Sequence, residues 1–154
     1  MDVLVLKAKP EDVLDIHKIE QECFSFPWTY DMLYIDIVNN VTADYFVAKD
    51  KNSQIVGFCG MHNVIGEAHI TNIAVYSYLR KKGIGGRLIS AMIKQAQKQR
   101  CEGITLEVRT TNNAAIRVYE KFGFKIEGIR KEYYAETKED AYIMWLNFVK
   151  ERSF

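Results

Sequence analysis

Residues 67–87 read EAHITNIAVYSYLRKKGIGGR, and this stretch decides the architecture. Glu67 to Val75 reads as a strand entered through Gly66, bounded by turn chemistry rather than by a helical period. After it, Arg80, Lys81, Lys82 and Arg87 surround Gly83, Ile84, Gly85 and Gly86. A helix then begins, and its Leu88, Ile89, Met92, Ile93 and Ala96 form one apolar stripe. Glycines let the backbone curl with its N–H groups exposed, and the helix start adds partial positive charge. Together these features suit a phosphate or pyrophosphate. A plain connection carrying a solvated basic cluster fits the same residues. The loop lacks the Gly-Lys-Ser/Thr ending of an NTPase P-loop, and it has no GxGxxG of the dinucleotide type.

Working outward, Val3–Lys7 reads as a first strand. Pro10-Glu11-Asp12 opens a helix with Val13, Ile16, Ile19 and Cys23 at helical spacing. Phe24-Ser25-Phe26-Pro27-Trp28 breaks that helix, and Thr29 caps a second one running to Val38. Tyr45–Lys49 and Gln54–Asn63 form an expected hairpin around Asp50-Lys51-Asn52-Ser53. Downstream, Ile104–Val108 is a strand, and Asn112 or Asn113 caps a short helix, Ala114–Phe122, that stops at Gly123. Phe124–Arg130 and Ala141–Phe148 read as closing strands around the polar stretch 136–140. The order β-α-α-β-β-β-α-β-α-β-β predicts an α/β fold of three layers, with four helices flanking a mixed sheet. The unit from Glu67 to Val108 requires a right-handed parallel crossover, while the last two strands pair antiparallel.

The chain has 154 residues, 48% hydrophobic and 27% charged, with a formal net charge of +1. This is one domain of ordinary globular composition, expected to span 1–154. Near-neutrality excludes a global field for nucleic acid or membrane, so any anion site is local. No apolar run approaches the roughly 18 residues of a membrane span, and the first residues lack a signal-peptide pattern, so a cytoplasmic location is expected. Cys23, Cys59 and Cys101 lack CxxC spacing and read as buried apolar residues. His62 and His69 stand apart from any Cys or carboxylate cluster at ligand spacing, so no metal is expected.

Alternation in a half-buried strand turns Glu107 away from Leu106 and Val108, towards a cleft. Burial there is expected to raise its pKa towards that of a useful base. A solvated strand glutamate is the other reading. Tyr119, beside Ala115 and Phe122 on its helix, reads by spacing as a core tyrosine.

The basic loop does not stand alone. Arg80-x-x-Gly83-x-Gly85-Gly86 after Thr71-Asn72-Ile73-Ala74-Val75, and then the run from Asn112 through Tyr119 to Gly123-Phe124, resembles the GNAT superfamily of N-acetyltransferases over almost the whole chain. The resemblance implies acetyl-CoA as cosubstrate. Its pyrophosphate would lie on Arg80, Lys81, Lys82, Gly83, Ile84, Gly85 and Gly86. Its pantetheine arm would lie along Ile73, Ala74 and Val75 at an implied strand bulge, with Asn112 in reach. Transfer in this family is direct, within a ternary complex. Leu106-Glu107-Val108-Arg109 with Thr111-Asn112 is similar to the segment of RimI-type N-terminal acetyltransferases in which that Glu is the proposed base. The family context likewise implies Tyr119 as acid for the departing thiolate.

Cys23-Phe24-Ser25-Phe26-Pro27-Trp28, and Arg130-Lys131-x-Tyr133-Tyr134 with Glu139-Asp140-Ala141, resemble the same group. They imply two aromatic loops, with Phe26, Trp28, Tyr133 and Tyr134 binding a protein N-terminal peptide. The peptide implied is that of a small-subunit ribosomal protein, with no direct nucleic-acid or membrane partner. Another amine class, or a coenzyme-binding module without catalysis, remains an alternative.

Overall fold

A computed structural model describes residues 1–148. The expected order of elements is present, and its seven strands make one mixed sheet in the order β1-β2-β3-β4-β5-β7-β6. The strands are β1 (Leu4–Lys7), β2 (Ala43–Lys49), β3 (Ile55–Val64), β4 (Glu67–Val75), β5 (Gly103–Arg109), β6 (Lys125–Tyr134) and β7 (Glu139–Asn147). All neighbours are antiparallel except β4 and β5, which are joined by the expected crossover. The helices are α1 (Val13–Cys23), α2 (Tyr30–Tyr34), α3 (Ile84–Lys98) and α4 (Asn113–Lys121).

Two cores hold the layers together, one on each face of the sheet. Val13, Ile16 and Ile19 of α1 and Leu33 of α2 pack on Tyr45, Val47, Phe58 and Ala74. On the opposite face, Leu88, Ile89, Met92 and Ala96 of α3 join Ile116 of α4 against Cys59, Met61, Ile104 and Leu106. Phe58 and Cys59, adjacent in β3, point into different cores, as the two-residue strand period requires.

The ends of the elements follow local chemistry. Thr29 Oγ1 accepts from Met32 N–H at 3.1 Å, and Asn112 Oδ1 accepts from Ala115 N–H at 3.2 Å. Both are N-caps that satisfy orphan donors. The second helix keeps α geometry only to Tyr34 and continues over Ile35–Asn39 as a π-helical turn. Cys59 and Cys101 are buried, whereas Cys23 is half-exposed.

Two expectations are corrected. The irregularity in β4 is not at Ile73–Val75. Gly60 pairs with Asn72 while Met61 pairs with Ile70, so Thr71 is the extra residue of a β-bulge. Ladder pairing between β4 and β5 stops at His69 with Thr105, so Ile70–Val75 diverge from β5 beyond the bulge. The bulge adds local twist, and the two parallel strands splay there. The second correction concerns Tyr133 and Tyr134. They lie on β6, which runs to Tyr134 because that residue pairs with Glu139, not on a loop. Glu132 bulges at φ 48°, where its N–H donates to Asp140 Oδ1 at 2.9 Å. The final expected strand residue, Phe148, falls just past β7.

Candidate active site

The splay between β4 and β5 opens a cleft of about 310 Å³. Its lining includes Phe24, Asn72, Ile73, Glu107, Tyr119 and Tyr134, contributed by both faces and both ends of the chain. Asn112 lines it too while capping α4, so both roles foreseen for this residue are compatible.

Beyond the end of β4, the strand that splays from β5, lies the basic loop leading into α3. Gly83 takes φ 83°, a left-handed conformation that side chains resist, and it caps α3. The first helical hydrogen bond runs from Arg87 N–H to Gly83 O at 3.2 Å. The N–H groups of Ile84, Gly85 and Gly86 therefore precede the helical ladder and are free to meet an anion. A Cβ built on Gly83 or Gly85 meets no atom within 4 Å, which leaves the cradle open to a ligand. Lys81, Lys82 and Arg87 are exposed around it. The Arg80 guanidinium instead turns back, with Nε at 3.4 Å from Val75 O and Nη2 at 3.5 Å from Cys23 Sγ.

In the cleft stands Glu107. Leu106 and Val108 are buried in the α3 core, so alternation turns Glu107 to the other face, as expected. Its side chain is only 9% exposed. His69 Nε2 lies 2.7 Å from Glu107 Oε1, and Tyr133 O–H donates to the same oxygen at 3.3 Å. Arg130 Nε is 3.8 Å from Oε2. These partners reverse the expected pKa shift. The hydrogen bond from His69 outweighs desolvation, aided by the charges of His69 and Arg130, and the Glu107 carboxyl sits below its ordinary value. Glu107 is thus an ionised acceptor at neutral pH. An ionised carboxylate only accepts, so Nε2 of the half-exposed His69 ring is the donor in this contact.

Tyr119 combines the two readings given to it. Its ring is 7% exposed and meets Phe124 edge-on at 5.6 Å in the core, yet the residue also lines the cleft. Burial pushes its phenol well up, so it remains a protonated donor.

The aromatic residues divide. Tyr134 lines the cleft, with the Arg109 guanidinium 3.8 Å from its ring centroid and burial raising its phenol to about 12. Arg109 is itself held by Glu139 at 3.1 Å, and Glu139 also accepts from Thr111 at 2.9 Å. Phe24 rather than Phe26 faces the cleft, while Phe26 is 67% exposed. Trp28 lines a neighbouring hollow with Met32, Ile35 and Asp36. Sequence reasoning missed His69, which it considered only as a metal ligand. Its signal was the shared outward parity of His69 and Glu107, visible only once the parallel register is known. Among the described residues no cluster of three His, Cys, Asp or Glu is placed to hold a metal, and no helix is long and apolar enough to cross a membrane.

Comparison with known proteins shows the family. The model of the acetyltransferase (GNAT) family matches residues 13–124. A Bacillus subtilis (strain 168) protein provisionally named a ribosomal protein bS18-alanine N-acetyltransferase is 37% identical, covering 92% of this chain and 93% of the relative. The ribosomal protein bS18-alanine N-acetyltransferase of Escherichia coli (strain K12) is 33% identical, over 88% of this chain and 90% of its own. The crystal structure of the ribosomal-protein-S18-alanine N-acetyltransferase from Escherichia coli superposes with a TM-score of 0.87 at 29% identity, covering 99% of both chains. The family model spans the bulged strand, the basic loop, Glu107 and Tyr119, and the chain belongs to the acetyltransferase (GNAT) family.

Proposed function

We propose that residues 1–154 form one acetyl-CoA-dependent Nα-acetyltransferase domain acting on a protein N-terminus, with the N-terminal alanine of ribosomal protein bS18 as acceptor. The observation that carries this reading is the Glu107–His69 pair at 2.7 Å, in a cleft walled by Phe24 and Tyr134, with a main-chain anion cradle on the loop that follows β4. The relatives' acceptor supports the choice of bS18. Such an acceptor puts the reaction in the cytoplasm.

The cradle fits the coenzyme. Free N–H groups at Ile84–Gly86 and the surrounding cations suit a pyrophosphate, and the unpaired side of Ile73–Val75 beyond the bulge suits a pantetheine amide. Acetyl-CoA, once bound, supplies an acetyl thioester with a good leaving group. The residues of the chain do the rest. An α-amino group has a pKa of about 8 and arrives mostly protonated. Glu107, held low, is a weak base alone, but it orients His69 and stabilises the imidazolium. His69 Nδ1 takes the amine proton directly or through one water. Tyr119, kept protonated by burial, donates to the departing thiolate. Phe24 and Tyr134 hold the peptide end, with Tyr133, Trp28 and Phe26 extending that wall.

Incubating the protein with acetyl-CoA and a panel of synthetic N-terminal peptides tests the reading. Acetylation of a bS18-derived peptide beginning with alanine, and none of the same peptide blocked at its N-terminus, is expected. Acetylation of polyamines or aminoglycosides alone would replace it with a small-molecule acceptor.

A further inference from the structure

Glu20, on α1, is 2% exposed and takes no part in the chemistry above. A carboxylate so deeply placed is rare unless it is paired, and among the described residues no cation forms an ion pair with it. Its partners are instead two hydrogen-bond donors, one at the far end of the segment that carries Phe24 into the cleft and one on β4. Oε2 accepts from the Trp28 main-chain N–H at 2.8 Å, and Oε1 accepts from Asn72 Nδ2 at 3.3 Å. Asn72 follows the bulge residue Thr71 and lines the cleft. Behind it, Tyr45 O–H donates to Asp36, and the Tyr45 oxygen lies 3.5 Å from Asn72 Oδ1, so the Asn72 amide is backed by buried polar groups.

The same residue also holds the other end of the aromatic segment. Helix α1 ends at Cys23, and Phe24 N–H bonds to the Glu20 carbonyl oxygen at 3.0 Å. Glu20 therefore grips Phe24 through its main chain and Trp28 through its side chain. The segment between them, which carries Phe24 into the cleft, has no regular structure of its own. Burial raises the Glu20 carboxyl, a cost offset by these hydrogen bonds.

We infer that Glu20 is a positioning residue for the acceptor: its carboxylate fixes the Phe24–Trp28 segment against Asn72 on β4, and so sets the width of the acceptor cleft without touching the substrate. The inference rests on the cleft being the acceptor site, as proposed above. It makes Glu20 a determinant of acceptor binding, while the donor cradle on α3 is independent of it.

The test pairs Glu20→Ala with Glu20→Gln and reads two quantities. The first is the split between the acceptor KM and the acetyl-CoA KM. The second is hydrogen exchange at the Trp28 amide, which needs no substrate. Glu20→Ala should raise the acceptor KM about tenfold and speed Trp28 exchange by at least about tenfold, with the acetyl-CoA KM within about twofold of wild type. Glu20→Gln should restore both readings to within about threefold, because its amide oxygen accepts from Trp28 and its NH2 donates to a flipped Asn72. Should the alanine variant not fold, Glu20→Asp keeps the charge but is too short to span both partners, and it should show the same split. Unchanged exchange at Trp28, an unchanged acceptor KM, equal rises in both KM values, or a glutamine variant as poor as alanine would each overturn the inference. If wild type acetylates no peptide, the functional reading fails separately. The same split is then measured with whichever amine wild type accepts.

Discussion

The donor and acceptor ends of the site are built from different materials. The donor end is made of main chain: a left-handed Gly83, the unladdered N–H groups of Ile84, Gly85 and Gly86, and the unpaired side of Ile73–Val75. The acceptor end is made of side chains brought from the segment after α1 and from β4, β5 and β6, including Phe24, His69, Glu107, Tyr133 and Tyr134. A main-chain site depends on local conformation and tolerates many side chains around it. A side-chain site depends on register, and a slip of one residue would remove Glu107 from the cleft. The teaching is that one fold can keep its donor while its acceptor changes.

Substitutions at the two ends should therefore separate cleanly. The largest effect belongs to Glu107. Glu107→Gln should lower kcat by about a hundredfold, the low end of what a positioned acid or base contributes, with the acetyl-CoA KM unchanged. Steady-state kinetics at several pH values check it. Because the Glu107 carboxyl is already ionised, the wild-type rate should climb with pH through the substrate amine near pH ~8, not through a glutamic acid. A fully active variant would remove Glu107 from the mechanism.

Next comes the donor end. Gly83→Val forces a β-branched residue to φ 83° and should raise the acetyl-CoA KM at least about tenfold while leaving the peptide KM alone. Isothermal titration with coenzyme A gives the same contrast without turnover. Tyr134→Ala should do the reverse, raising the peptide KM about fivefold with the coenzyme constant unmoved, since it deletes a cleft wall stacked under Arg109. If both substitutions moved both constants equally, the division of the cleft would be wrong.

The smallest effect is on stability. Glu107 has a lower pKa folded than its ordinary 4.5. Its ionised form therefore stabilises the fold above about pH 4.5, and that contribution is lost as pH falls through the folded pKa. Glu107→Gln should accordingly be less stable than wild type at neutral pH, with the gap in urea midpoint closing in acid.

The same contrast explains what was legible in the sequence. The donor end is written locally, because Gly83, Gly85 and Gly86 before an apolar stripe specify a helix start without any knowledge of the sheet. The helical core faces are equally plain, since Val13, Ile16 and Ile19 on α1 and Leu88, Met92 and Ala96 on α3 recur at helical spacing and all are buried. The acceptor end was only half readable. Parity placed Glu107 on the right face, but its pKa shift was expected in the wrong direction because His69 lies 38 residues away in sequence. The resemblance implies a bulge at Ile73–Val75, whereas it lies at Thr71, because a bulge made by an ordinary residue has no compositional trace. The resemblance implies Tyr133 and Tyr134 on a loop, whereas Tyr134 pairs with Glu139 and extends β6 past the bulge at Glu132, a pairing that has no local signal.

The central claim is transfer to an α-amine at the Glu107–His69 pair. Its most direct test is a single peptide that begins with alanine and also carries an internal lysine, incubated with acetyl-CoA and sequenced by fragment-ion mass spectrometry. The account predicts one acetyl group, on the alanine nitrogen, lost in Glu107→Gln; acetylation of the lysine side chain with the N-terminal amine left free would contradict it.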